Sequence, residues 1–228
     1  MEMQNQNPYT STSKVGIQTT FFGKVMAFLA LAVLASVGGV FVGAQYLLEF
    51  FFTNPYMMYV LFGIELVLIF TSTKWSTKVP LNRFLFAAFA FITGLTIAPL
   101  IGILAQTPGG LLILNKALIA TALMFTATAL VGWTTKWNLS GMRGFLFMAL
   151  IGMIIVGIIG IFVPWSNTFE LVFSGVGVAL FGGFVMYDFQ KIRQYPEDRY
   201  IDAALAIYLD LFNLFLYILR FISASSRD

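Results

Sequence analysis

The chain has 228 residues, 59% of them hydrophobic and 10% charged, against roughly 25% charged in an ordinary soluble domain; this is a membrane composition, long enough for one bundle of six to eight spans with short loops. Cysteine and histidine are both absent. That excludes disulfides, thiolate metal sites and most zinc or haem chemistry, and it leaves proton sensing to carboxylates. The formal charge is only +3 and the basic residues are scattered through loops, which speaks against nucleic acid as a partner and leaves the lipid bilayer as the implied one.

Residues 1–20 are polar and rich in Gln, Asn, Ser and Thr. They lack a basic start, an apolar core and a small-residue cleavage site, so they read as a flexible polar N-terminal tail rather than a signal peptide. Residues 21–228 read as one all-α transmembrane domain. Apolar runs predict seven spans: 25–48, 56–71, 84–104, 111–133, 144–163, 171–188 and 201–222. Gly39 and Gly43 in the first give a small-xxx-small face for close helix approach. Gly94 and Pro99, in TGLTIAPL of the third, mark a kink. The glycines of the fifth and sixth lie in apolar helices with no strand before them, so they serve packing rather than nucleotide binding.

Loop charge orients the bundle. With seven spans and the N-terminus inside, 10 of the 13 basic residues are cytoplasmic, leaving Lys116, Arg220 and Arg227 on the other side, as the positive-inside rule requires. The C-terminus then lies outside, unless the last segment is re-entrant and returns it inside.

The last two segments hold the unusual residues. Asp188 ends the sixth and Asp210 lies inside the seventh. An ionised Asp at the centre of a membrane helix costs roughly 2.5–3.5 kcal/mol on insertion scales, so such a pair implies a use. At about 100° per residue, Asp202, Ala206, Asp210, Asn213, Tyr217 and Arg220 share one arc of the seventh segment, and that arc must face protein or a water-filled cavity. Helical rise places Asp188 near the cytoplasmic edge and Asp210 roughly 14 Å deep, too far apart to touch without helix tilt or an earlier start to the seventh helix. In contact, the two would share a proton and titrate as a unit, a latch closed with the proton and splayed without it. Lys74, at the end of the second span, is either a partner for Asp188 or an ordinary positive-inside lysine. Glu65, within that span, either lines the same cavity or is packed protonated.

MYDFQ at 186–190 and YLDLFNLFLYILRF at 208–221, with Glu65 and TGLTIAPL at 93–100, resemble the motifs of the Bax inhibitor-1 family, the transmembrane Bax inhibitor motif proteins, in a bacterial form. The resemblance implies seven transmembrane helices with the last one central and surrounded by the other six. It implies a pH-sensitive calcium leak channel in the inner membrane, with Asp188 and Asp210 as sensor and gate and a basic latch at the position of Lys74. Calcium is then the transported ion, and no cofactor is expected. Ca²⁺ takes six to eight oxygens in a tight site. Asp188, Asp210 and Glu65 offer too few for that, but a weak transient metal site suits conduction, which needs release as well as entry. Asn213 and Tyr217 are the further cavity-lining candidates.

Two other readings compete. A proton-coupled cation transporter or exchanger uses lining carboxylates equally well. An intramembrane aspartyl protease would match Tyr187-Asp188, but Asp210 sits in YLDL rather than GxGD and no PAL sequence follows, so an enzyme is not expected. A retinal pump would need a lysine in the last span, which has none.

Overall fold

In a bilayer every backbone N–H must bond within its own segment, so long apolar runs fold as helices. The computed structural model describes residues 9–226, with side chains from Thr20 onward; residues 1–8 of the expected tail lie outside the described residues. The described residues form nine α-helices joined by turns and short 3₁₀ segments. Helix α1 runs Tyr9–Tyr46, so its first turns occupy the second half of the stretch read as a tail. It is followed by the short α2, Leu48–Thr53. Then come α3, Tyr56–Phe70, α4, Ser72–Trp75, and α5, Leu81–Gln106. The chain ends with α6, Gly110–Thr134, α7, Met142–Phe162, α8, Asn167–Lys191, and α9, Tyr200–Ser225.

Six of these helices are long and apolar enough to cross a membrane. The expected second span forms as α3, but at 15 residues it rises only about 22 Å, short of a hydrocarbon core about 30 Å thick. Thr71 separates it from α4, whose last residues carry Lys74. The helices otherwise overrun the apolar runs by a few residues, because backbone hydrogen bonding continues where hydropathy fades. Helix α5 continues through Pro99. Ser166 caps α8 by accepting from the Phe169 backbone N–H at 3.2 Å, and Gly109, at φ 77°, supplies the left-handed turn that starts α6.

Small residues decide how the helices meet. Helix α1 packs along α5, and the two backbones touch. A Cβ at Gly39 would strike the Phe91 carbonyl, and one at Gly94 would strike the Ser36 carbonyl. Gly132 of α6 lies against the backbone of Met186 in α8 in the same way. Helix α9 packs against α8, α6, α1 and α5. Every residue from Tyr200 to Arg220 is buried or half-buried, whereas α7 turns Phe145, Met148, Ile154 and Phe162 outward among many others. The one-sided polar arc therefore understates how far α9 is covered: its apolar side is enclosed as well.

A buried aspartate pair as candidate functional site

Helices α8 and α9 form an antiparallel hairpin around Tyr195 and Pro196. Three contacts set its register. The Asn167 side-chain N–H donates to the Ala224 carbonyl at 3.2 Å, Arg220 Nε donates to Glu170 Oε1 at 3.0 Å, and Gly177 makes room for the Tyr217 ring. Asp188 lies one turn before the end of α8, and Asp210 lies near the middle of α9. They are 9% and 6% exposed, and their carboxyl groups come within hydrogen-bonding reach of each other.

Axial rise alone does not predict that contact, and side-chain direction narrows the gap. Each Cα–Cβ bond leans toward the N-terminus of its own helix. In an antiparallel pair, Asp188 leans away from the connecting turn and Asp210 leans toward it, so their carboxyls converge. An ionised carboxylate only accepts hydrogen bonds, so a direct bond between the two requires a proton on one of them. Asp210 Oδ2 is buried without a hydrogen-bond partner among the described residues.

The surroundings are positive and aromatic. The basic residues acting on Asp188 are Lys191 first and then Arg143. Lys74 is exposed, forms no ion pair among the described residues and is not one of the charges named as acting on Asp188. Lys191 was open to sequence reasoning, since a residue three positions on shares a helix face. Arg143, on α7, carries no local signal. The Tyr195 phenol is pushed well above its ordinary range, chiefly by burial and then by Asp188, Asp202, Tyr187 and Asp210 around it. The end of α8 is fastened to the segment joining α6 and α7. Gln190 donates to the Trp137 carbonyl at 2.7 Å and accepts from the Leu139 N–H at 2.8 Å. Arg193 donates to the Trp133 carbonyl at 2.7 Å.

The other candidates lie elsewhere. Asn213 spends its amide on the Leu209 carbonyl of its own helix at 2.8 Å. Tyr217 packs against Phe173 and Phe181, with ring centroids 6.0 and 5.5 Å apart. Glu65 is buried on α3 and meets Thr96 Oγ1 of α5 at 2.5 Å. Close to it, Tyr208 of α9 shares a 2.7 Å hydroxyl bond with Ser36 of α1, near the Thr93 hydroxyl of α5. Tyr208 and Asp210 are two positions apart, about 200° around the helix. Helix α9 thus presents one polar group to α8 and another to α1 and α5. Tyr208, Ser36 and Thr93 are absent from the sequence-derived set, because lone hydroxyl residues in apolar helices carry no pattern of their own. Among the described residues no group of three or more acidic side chains could hold a metal ion.

These features define a multi-pass helical membrane protein with a buried acidic pair on neighbouring spans. The family model described as "Inhibitor of apoptosis-promoting Bax1" matches residues 18–227, and the chain belongs to the Bax inhibitor family. It is 30% identical to an uncharacterized protein of Campylobacter jejuni, over 96% of this chain and 93% of that one. It is also 30% identical to protein lifeguard 4 of Mus musculus, over 98% and 92%. It is 28% identical to Bax inhibitor 1 of Schizosaccharomyces pombe, over 96% and 81%.

Proposed function

We propose that this protein is a pH-responsive calcium leak of the membrane, gated by protonation of Asp188 and Asp210, and not an enzyme. The observation that carries the reading is the meeting of the two carboxyls on adjacent helices in a buried site. With one proton between them they join α8 to α9. With none, two like charges lie side by side and push the helices apart while attracting cations. Two carboxylates cannot cage Ca²⁺, which takes six to eight oxygens when held tightly, so the ion would be passed on rather than kept. Histidine and cysteine are absent, so a response near neutral pH falls to carboxylates.

The topology belongs to the same proposal. Helices α3 and α4 together cover Tyr56–Trp75, about 30 Å of rise, and would make the seventh span. Without that crossing, Lys14 and Lys24 fall on the opposite side from the eight basic residues of the later loops. With it, all ten share one side, which we take as the cytoplasm of a bacterial inner membrane. Helix α9, covered from Tyr200 to Arg220, would be the central helix of the bundle.

The test is calcium flux into proteoliposomes from about pH 5 to about pH 8, comparing wild type with Asp188→Asn and Asp210→Asn. Flux should rise with pH in the wild type and lose that dependence in both variants. An unchanged pH response in both would refute the gate. Saturable, proton-coupled counterflow in place of a linear leak would make the protein an exchanger.

A further inference from the structure

Lys191 follows Asp188 by three residues, on the same face of the last turn of α8. Its Nζ lies 5.7 Å from the centroid of the Tyr187 ring and 5.1 Å from that of Tyr195. Both distances are within the reach of cation–π attraction. One ring belongs to α8 and the other to the turn before α9, so the ammonium is held from two sides. Lys191 is the first positive charge acting on Asp188, ahead of Arg143. It nevertheless forms no ion pair within 4.0 Å among the described residues. On the facing helix Asp210 is 6% exposed, and its Oδ2 has no hydrogen-bond partner among the described residues, while Arg193 and Gln194, just beyond Lys191 in the chain, are exposed. An ammonium is therefore held near Asp188 at the end of α8, and Asp210 across from Asp188 keeps one buried oxygen without a partner among the described residues.

We propose that Lys191 is a tethered cation that competes with incoming calcium for the Asp188–Asp210 pair, and that Tyr187 and Tyr195 hold it at the entrance. A free lysine would extend into solvent on its four-carbon stem. Here two rings keep the charge near the carboxylates without letting it seal them in a contact pair. The charged and titratable groups around the entrance are Asp188, Asp210, Asp202, Arg143, Tyr187 and Tyr195. A divalent ion entering must displace the ammonium, which keeps binding weak and release fast.

This inference rests on the pair being the cation-responsive site, and one experiment separates the two. The full chain in detergent micelles is titrated with Tb³⁺, a luminescent calcium mimic, at fixed pH and ionic strength. Lys191→Gln and Lys191→Met should each bind Tb³⁺ on the order of tenfold more tightly than wild type, because a like charge has left the site. Lys191→Arg should bind as wild type does. Two neutral replacements are used so that misfolding of one leaves the other. Equal affinity in wild type and the neutral variants, with binding lost in Asp188→Asn/Asp210→Asn, overturns the role of Lys191 alone. Binding that survives unchanged in Asp188→Asn/Asp210→Asn overturns the pair as the cation site, and this inference with it.

Discussion

Asp188 and Asp210 lean toward each other from antiparallel helices, and the chemistry of their contact depends on a single proton. Tyr195 lies close by and must be separated from that response. Its phenol is raised above the ordinary value of 10.0, first by burial. The folded state therefore favours the neutral form, and its contribution is complete below the ordinary phenol range and fades only in alkali. Tyr195→Phe should leave the pH profile of calcium flux between about pH 5 and pH 8 unshifted, which the proteoliposome assay reads directly. Thr96 offers a second test. Its one hydroxyl proton is claimed by both Glu65 and the Ile92 carbonyl, at 2.5 and 3.1 Å. Thr96→Val would strip the buried Glu65 of this bond and should destabilise the protein by about 1–3 kcal/mol. The loss would be read as a lower melting temperature in detergent, with Thr96→Ser restoring it. At this scale the sequence exposed the carboxylates well, since each is an anomaly in an apolar run. It did not expose their surroundings: the charge of Arg143 acts on Asp188 from α7, a segment far away in the chain.

At the scale of the helix, glycine sets how closely neighbours approach. Gly39 and Gly94 let the α1 and α5 backbones touch, and any side chain there would drive a Cβ into a carbonyl. Gly94→Val should therefore lower the melting temperature sharply or prevent accumulation of folded protein, as overpacking by a few atoms costs about 1–3 kcal/mol or more. Gly63 of α3 has open space where its Cβ would stand. Gly63→Ala should be neutral or stabilising by about 0.5–1 kcal/mol, and the same thermal assay compares the two. The small-xxx-small spacing of Gly39 and Gly43 pointed to close packing but could not name the partner, which is α5. The boundaries of α3 show the opposite failure. Its apolar run was evident, yet Thr71 interrupts the helix and leaves it shorter than a membrane is thick.

Across the whole molecule, the proposed seven spans require α3 and α4 together to complete a crossing. The chain contains no cysteine, so a single introduced cysteine is a unique reporter. A cysteine near each terminus, labelled with a membrane-impermeant maleimide in intact and permeabilised cells, should place the two ends on opposite sides. Both ends on one side would reject seven spans. The bundle itself follows from covering α9 with α8, α6, α1 and α5, which lets a helix bearing Asp202, Asp210 and Asn213 sit within a hydrophobic assembly.

Composition and pattern were sufficient for the membrane setting, the helical class, the exclusion of thiol and imidazole chemistry, and for singling out Asp188 and Asp210 as out of place in apolar segments. These are properties of segments, and a segment's hydropathy and the cost of charge in lipid act locally. The contact between Asp188 and Asp210, the exposure of Lys74, the seating of Lys191 against two tyrosine rings and the covering of α9 were decided only in three dimensions. They depend on register, side-chain lean and backbone approach between helices, and a one-dimensional rise along separate axes contains none of these.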